Sequence, residues 1–447
     1  MIIKSFLYQL QNVNISDISN SRSDLVVIDY SRDGSDTTAF SESEVAIMKV
    51  KPDGSDDRNV IAYMSIGEAE TYRYYWDNTW DANRDGLPDA NAPSWLDQEN
   101  PDFAGNYKVR YWDGEWQSII TGYLDKIIAA GFDGVYLDIV DAYEYYENTR
   151  ATAAQDMIDF VGTLSSYAKN KNPDFLVIPQ NAEGLLEFSN YLQVIDGIGK
   201  EDLFYGLDGD GIANKSDEIA FSKSLLDLAI DAGKFVLTTD YINPASSPTT
   251  QETLIRKAYS RSETSGFIPY VTGRDLDYLA YNGTAGADTL LGGRGRDRLY
   301  GLAGKDSLHG GAGNDVLMGG NGADTLIGGK GSDVLYGGCN GDRFVFTSGT
   351  AFRTSDLGSD RVMDFVNDED KIVLDRNTFS KLDETISFAG VSNLTATRNS
   401  SALITYITGT GSLYYNENGA AAGWGKGGKF ADFENGLNLT ESDFILG

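Results

Sequence analysis

From Gly283 to Val345 the chain repeats every nine residues. Each unit opens with glycine (Gly283, Gly292, Gly301, Gly310, Gly319, Gly328, Gly337) and carries aspartate at its sixth position and an apolar residue at its eighth. The aspartates are Asp288, Asp297, Asp306, Asp315, Asp324, Asp333 and Asp342; the apolar column runs Leu290, Leu299, Leu308, Leu317, Leu326, Leu335, Phe344. Glycine permits the positive-φ corners of a tight coil. Carboxylate oxygens added to turn carbonyls give the all-oxygen shell that Ca²⁺ prefers. The spacing predicts a calcium turn followed by a three-residue strand. A strand that short cannot bury its one apolar side chain alone, so the units must stack, apolar column inward and Ca²⁺ between neighbouring turns. A flexible Gly/Asp linker has no use for an apolar residue at every eighth position.

The block resembles the RTX parallel β-roll, with few departures: Thr284 and Leu302 replace the second glycine and Asn340 the fourth-position one. The resemblance implies several structural Ca²⁺ ions and, at the two ends, capping turns with weaker metal sites. It also implies an extracellular protein exported by type I secretion machinery through an uncleaved C-terminal signal. The ending Asp443, Phe444, Ile445, Leu446, Gly447 is similar to such a signal, whereas the start, MIIKSFLYQLQNVN, lacks the apolar core and cleavage site of an N-terminal one. No apolar stretch is long enough to span a bilayer. In a cytosol poor in free Ca²⁺ the facing aspartates repel, and the roll is expected to fold only outside the cell.

The 447 residues carry a formal net charge of −31. Residues 283–447 hold 14 Lys+Arg and 21 Asp+Glu, so −24 of that charge falls on residues 1–282. Nucleic acid and anionic membrane are disfavoured partners, while a cationic substrate or Ca²⁺ is attracted. Part of this charge simply keeps a protein soluble.

Within residues 1–282, β-branched runs alternate with helical patterns. Strands are expected at 3–10, 25–30, 60–66, 134–139, 175–179, 194–199, 235–239 and 267–271, with helices at 117–130, 153–169, 218–232 and 252–263. A long insertion, 68–116, follows the third strand. This predicts an α/β fold, a (β/α)₈ TIM-type barrel with its active site at the carboxyl ends of the strands, followed by an all-β parallel β-roll and a C-terminal β cap. The expected domains are 1–280, 283–345 and 346–447.

The single histidine, His309, and the single cysteine, Cys339, both lie in the repeat. A His-liganded zinc site, a Ser-His-Asp triad and a Cys nucleophile are therefore excluded for the barrel, and no intrachain disulfide exists. Carboxylates dominate the strand ends, and a facing carboxylate pair at a sugar cleft is the simplest active site this inventory builds. Of the 32 Tyr+Trp, 26 lie in residues 1–282, many in the insertion; such rings suit sugar faces, although about half are expected to be ordinary packing. By the period of two, Tyr136 and Asp138 share one face of the fourth strand. Ile195, Gly197, Gly199 and Glu201 share one face of the sixth, where the small glycines leave space at the barrel mouth.

Four segments, YQLQ (8–11), AYMSIGEAETYR (62–73), GFDGVYLDIVDAY (131–143) and GIGKEDLFYG (197–206), resemble glycoside hydrolase family 114, the endo-α-1,4-polygalactosaminidase family of (β/α)₈ barrels. The resemblance covers nearly all of residues 1–275. It implies that Asp138 and Glu201 are the catalytic pair, acting on an amino-sugar polysaccharide, the α-1,4-linked galactosamine polymer. Structural alternatives are a helix cap for Asp138 and a salt bridge to Lys200 or Arg274 for Glu201. Strands two apart in a barrel stand roughly 10 Å apart, so inward-leaning side chains can bring the carboxyls to about the 5 Å of a retaining enzyme. Asp29, Tyr63, Glu68, Tyr136, Asn181, Asp240, Tyr241 and Arg274 are the candidate substrate-binding residues.

Asp81, Asn83, Asp85, Gly86 and Asp89 match positions 1, 3, 5, 6 and 9 of an EF-hand-type loop, with Ala92 where the bidentate glutamate belongs. A weak Ca²⁺ site, or one that borrows a ligand, is expected there. Two other functions compete: a non-catalytic calcium-dependent carbohydrate-binding protein or adhesin, and a Schiff-base lyase using Lys200, which strand parity points away from Glu201.

Overall fold

The computed structural model describes residues 3–52, 54, 57–382, 386–419, 421 and 423–447. The chain divides into two compact units, Met1–Pro244 with Lys257–Asp277, and Ala245–Arg256 with Tyr278–Gly447.

The first unit is built on eight parallel strands: β1 (Phe6–Gln9), β2 (Leu25–Asp29), β3 (Asn59–Ser65), β4 (Gly134–Asp138), β5 (Leu176–Pro179), β6 (Gly197–Glu201), β7 (Phe235–Tyr241) and β8 (Ile268–Thr272). They form two arcs, β1-β2-β3-β4-β5 and β6-β7-β8, joined at one seam by the parallel bridge Gln180↔Gly199. Among the described residues no ladder joins β1 to β8. At that seam the rings of Phe6 and Tyr270 stand 5.5 Å apart, and Leu10 and Gln11 donate backbone N–H bonds of 3.1 Å to Leu276. Strands such as β2, LVVID, are buried throughout, as parallel strands covered on both faces must be. The helix Gly114–Ala129 starts at the Asp113 cap and buries Trp116, Ile120, Tyr123, Leu124 and Ile127, one stripe of the helical period. The sixth strand begins at Gly197 rather than at 194, because Ser189–Val194 completes a short helix first.

The insertion holds a three-stranded antiparallel sheet of Glu68–Glu70, Asn106–Val109 and Leu96–Glu99. Its tryptophans pack on one another: Trp76 on Trp80 at 5.2 Å, Trp80 on Trp95 at 5.2 Å, Trp95 on Trp116 at 4.9 Å. Trp95 and Trp116 are fully buried, so these rings are the insertion's core; Tyr72 and Tyr145 remain exposed.

In the second unit successive repeats alternate between two parallel sheets. One contains Thr289–Leu291, Ser307–Ala312, Thr325–Lys330, Arg343–Phe346, Lys371–Leu374 and Phe444–Leu446; the other begins Leu279–Asn282, Asp297–Tyr300, Val316–Asn321, Val334–Cys339 and continues to the C-terminal hairpins. Partners lie two repeats apart, as in Leu308↔Leu326 and Leu317↔Leu335, so one turn of the coil is two nonapeptides. Leu299, Leu308, Leu317, Leu326, Leu335 and Phe344 are fully buried, and Leu290 at the open end only partly. The central strands run to six residues rather than three, because the glycines opening the next unit stay in the ladder, as in Gly311↔Gly329. At Gly322 (φ +149°) a Cβ would fall 1.4 Å from the carbonyl oxygen of Gly304, so only glycine lets neighbouring turns stack. Leu302 and Asn340, which interrupt the glycine pattern, still adopt positive φ of 71° and 78°. The last residues are a rung of this architecture: Phe444–Leu446 pairs in parallel with Ile372–Leu374.

Candidate functional site

Asp138 ends β4 and Glu201 ends β6, both at the carboxyl side of the parallel strands and both partly open to solvent. A tyrosine on the neighbouring strand holds each: Tyr63 on β3 donates its hydroxyl to Asp138 Oδ2, and Tyr241 on β7 donates to Glu201 Oε1. The Ile139 N–H reaches Asp138 Oδ1 at 2.8 Å, and the Glu201 N–H donates to Asn181 Oδ1 at 3.1 Å. Beneath them Tyr8 donates to Gln180 Oε1 at 3.4 Å. The hydroxyls of Tyr8, Tyr63, Tyr136 and Tyr241 are all held well above the ordinary phenol range, burial being the first cause in each, so these groups stay protonated, and those of Tyr8, Tyr63 and Tyr241 act as donors.

Burial, and after it the charge of Glu201, pushes Asp138 up to about 8. Burial also raises Glu201, with hydrogen bonds from Tyr241 and Gln180 and the Arg274 charge pulling it down. Asp141, next to this pair, is pushed to about 6 by burial and then by Glu144. Solvent reaching the cleft floor screens part of this cost, but the direction is common to all three: the cleft disfavours full ionisation.

The backbone is strained at the same place. Ile139, Asn181, Ala182 and Asp202 have positive φ between 53° and 55°, at the ends of three successive strands. For a β-branched residue such as Ile139 this is an outlier that costs on the order of 1–3 kcal/mol, and it persists only where surroundings enforce it.

The remaining expected residues divide. Tyr63, Tyr241 and Asn181 touch the pair directly. Tyr136 lies under it with its hydroxyl buried and without a partner. The space expected above Gly197 and Gly199 is filled: a Cβ on Gly199 would meet Tyr136 Oη at 1.9 Å, and one on Gly197 would meet the Phe235 ring at 2.3 Å. Asp29 is turned to Arg73 at 2.8 Å and to the Ser31 N–H at 3.0 Å, and Arg73, its side chain fully buried, also pairs with Glu70 at 2.6 Å. Asp240 Oδ1 accepts the N–H groups of Phe204 (2.6 Å) and Tyr205 (2.9 Å), because parity along β7 turns it away from the side that Tyr241 presents to Glu201. Arg274 pairs with Asp202 at 2.8 Å and Asp210 at 2.7 Å. Asp29, Asp240 and Arg274 thus direct their polar atoms to protein partners rather than to the Asp138 and Glu201 carboxylates. Glu68 accepts from Asn100 at 2.7 Å, while its other oxygen is buried without a hydrogen bond. Neither structural alternative for Glu201 holds: Lys200 pairs with Glu183 at 3.2 Å and Arg274 with the two aspartates. Tyr8, Gln180 and Asp141 were not among the residues singled out for the site, although Asp141 and Gln180 lie at the ends of the fourth and fifth strands. Tyr8 and Gln180 sit in the first and fifth strand ends, and the parity applied to β4 and β6 would have found them.

In the roll the sixth-position carboxylates from Asp306 onward do one job with Oδ1, accepting the N–H of the sixth-position residue two repeats earlier. Asp306, Asp315, Asp324, Asp333 and Asp342 do so for Asp288, Asp297, Asp306, Asp315 and Asp324, at 2.8 to 2.9 Å. The second oxygens of Asp306, Asp324, Asp333 and Asp342 are buried without a hydrogen-bond partner. Those of Asp288 and Asp297 are satisfied by the N–H groups of Thr284 and Gly293. The pattern continues past the repeat, with Asp360 and Asp370 accepting from Asp333 and Asp342. Orphaned carboxylate oxygens facing turns fit Ca²⁺, whose remaining ligands in such a shell are carbonyls. Among the described residues no group of three or more His, Cys, Asp or Glu side chains is clustered for a metal. In the 81–89 loop Asp81 accepts from Asp85, Gly86 and Tyr107, and Asp89 from Ala82, so its carboxylates are met by protein donors.

Comparison with known proteins gives this arrangement a context. A protein of Methanocaldococcus jannaschii is 43% identical over 282 residues, covering 61% of this chain and 77% of its own, and one of Thermotoga maritima is 37% identical over 288 residues, covering 62% and 83%. Both are described as uncharacterized. The solved glycoside hydrolase domain of PelA from Pseudomonas aeruginosa is 17% identical with a TM-score of 0.46, covering 62% of this chain and 97% of that one. The RTX calcium-binding nonapeptide repeat profile matches residues 282–317 and 309–342. The profile of glycoside-hydrolase family GH114 matches residues 3–285, and with more than half of its length so matched the chain belongs to that family.

Proposed function

We propose that the first unit is a (β/α)₈ glycoside hydrolase that cleaves an α-1,4-linked galactosamine polymer internally by double displacement, Asp138 as nucleophile and Glu201 as acid/base. The observation that carries this reading is the pair itself: two carboxylates at the ends of β4 and β6, each oriented by a tyrosine hydroxyl from the next strand. Asp138 receives two donors through separate oxygens, which suits an anion aimed at an anomeric carbon. Its oxygen bonds to that carbon as the glycosidic C–O bond breaks, and Glu201 gives its proton to the leaving oxygen. Glu201 then takes a proton from water, which releases the sugar from Asp138. A de-N-acetylated polymer is cationic, and the −24 carried by residues 1–282 draws it in. Its amino groups also lower the cost of ionising Asp138. Lys200 Nζ is engaged with Glu183 at 3.2 Å, which speaks against a Schiff-base lyase.

The second unit is read as a Ca²⁺-folded roll of an extracellular protein exported by the type I route, with Asp306, Asp324, Asp333 and Asp342 among its ligands. The 81–89 loop is read as a weaker calcium site. The central test incubates wild type and Glu201→Gln with α-1,4-galactosamine polymer, its N-acetylated form and a panel of other polysaccharides, scoring soluble oligosaccharides and the anomer first formed. Release by wild type alone, with retention, is expected. Inversion removes double displacement, and polymer binding without release leaves a carbohydrate-binding protein.

A further inference from the structure

Beyond β6 the chain turns through Asp202 and forms an antiparallel hairpin of Tyr205–Gly206 with Gly209–Ala213. Its base is held by the two N–H bonds to Asp240 and by Asn214, which donates to the Asp202 carbonyl at 2.6 Å and accepts from the Leu207 N–H at 3.1 Å. Arg274 closes it. Nε donates to Asp210 Oδ1 at 2.7 Å, Nη1 to Asp202 Oδ2 at 3.1 Å, and Nη2 to Asp202 Oδ1 at 2.8 Å and the Gly206 carbonyl at 3.1 Å. A side chain at position 206 (φ +124°) would put its Cβ 1.8 Å from Asp202 Oδ1, so only glycine lets the hairpin lie this close to the ion pair.

Nε and Nη2 are therefore directed at the hairpin, and Nη1 at Asp202 where the chain enters it. The Cζ of the same group lies over the Tyr241 ring, 4.3 Å from its centre, and the Tyr241 hydroxyl holds Glu201. We infer that Arg274 is a positioning residue that ties the Tyr205–Ala213 hairpin to Glu201 through the ring of Tyr241. This rests on the reading of Glu201 as the acid/base.

The link has an electrostatic side. Glu201 is faced by Tyr241 from β7, Gln180 from β5, Asp202 from its own strand end and Arg274, and it lies in the field of Tyr8, Tyr136 and Asp138. The Arg274 charge lowers the Glu201 pKa and Asp202 raises it. Replacing Arg274 by a neutral residue leaves Asp202 uncompensated, so Glu201 keeps its proton to higher pH. For a group that must be protonated to act, the basic limb of the rate profile then moves up.

The test measures kcat/KM against pH for wild type, Arg274→Met, Arg274→Lys and Asp210→Asn on galactosamine polymer, with circular dichroism of each. For Arg274→Met the expected result is a basic limb displaced to higher pH and a kcat lowered about 10- to 100-fold, the cost of a loosened catalytic group. Arg274→Lys keeps the charge but not the fork; its limb stays near wild type while kcat falls. Asp210→Asn, which leaves the Asp202 pair intact, gives a smaller loss of kcat with the limb unmoved. A raised KM at unchanged kcat in Arg274→Met would mean direct substrate contact and overturns the inference, as does a loss of thermal stability with the pH profile in place. Should Arg274→Met fail to fold, Arg274→Lys decides, and a wild-type kcat in that variant overturns the inference. Failure of the underlying reading shows separately, as full activity in Glu201→Gln.

Discussion

In the first unit the carboxylates of Asp29, Asp138, Asp240 and Glu201 all accept hydrogen bonds from protein donors, whereas in the second the Oδ2 atoms of Asp306, Asp324, Asp333 and Asp342 are buried with none. The first set is complete as the chain alone folds it, Glu68 Oε2 being an exception. The second leaves one oxygen of each carboxylate without a protein donor. Burial pushes Asp342 up to about 8 and Asp306 to about 6, which is the cost of that arrangement without a cation. On the proposed reading Asp138 and Glu201 serve chemistry, whereas the carboxylates of the roll serve assembly.

Calcium removal tests this contrast most severely. Chelation should abolish the β signal of the second unit and open residues 283–374 to protease while the first unit keeps its near-ultraviolet signature. A cation present at a thousandfold excess over its dissociation constant contributes about 4 kcal/mol per site. Within the roll, Asp324→Asn should lower the calcium-dependent melting temperature more than Asp288→Asn, because Asp288 Oδ2 already accepts the Thr284 N–H. Equal losses would mean that the orphaned oxygens do not mark the cation sites.

A smaller effect is expected from Tyr241→Phe, which removes the donor to Glu201 but keeps the ring under Arg274. That hydroxyl lowers the Glu201 pKa, so its loss should move the basic limb of kcat/KM upward and cost about tenfold in rate, the scale of one hydrogen bond to a charged group. An unchanged pH profile would show that Tyr241 only packs against the site.

The two units also differ in how far their sequences can be read. Nine-residue spacing specifies the roll nearly atom by atom, since each turn meets the same neighbours; even Leu302 and Asn340 take the conformation their positions require. What it hid was strand length, because the glycines taken for turn residues remain paired. In the first unit the eight strands and the Asp138 and Glu201 positions were legible from β-branched runs and parity. The fates of Asp29, Asp240 and Arg274 were not, because each is decided by a partner far away in the chain: Arg73, the Phe204 and Tyr205 amides, and Asp202 with Asp210. Local pattern places a carboxylate at a rim, but only tertiary structure says which way it turns.

Asp240 gives the finest test, since it is a first-unit carboxylate held by donors yet buried like those of the roll, at 1% exposure. Burial pushes it up to about 7, against the pull of the two amides, from an unfolded value of about 3.9. Between those values the native state binds more protons than the unfolded one, so this group's contribution to stability declines as pH rises from about 4 to 7. Asparagine does not titrate, and its Oδ1 can accept the same two N–H groups. Asp240→Asn should therefore gain on wild type in melting temperature through that window and hold a constant lead above it, each kcal/mol appearing as about 2–4 °C. Asp240→Ala, which loses both bonds, should fall below wild type at every pH. Parallel curves for wild type and Asp240→Asn would mean that the two amides alone keep Asp240 ionised, and the first unit would then tolerate a buried charge with no cation at all, which the roll is not built to do.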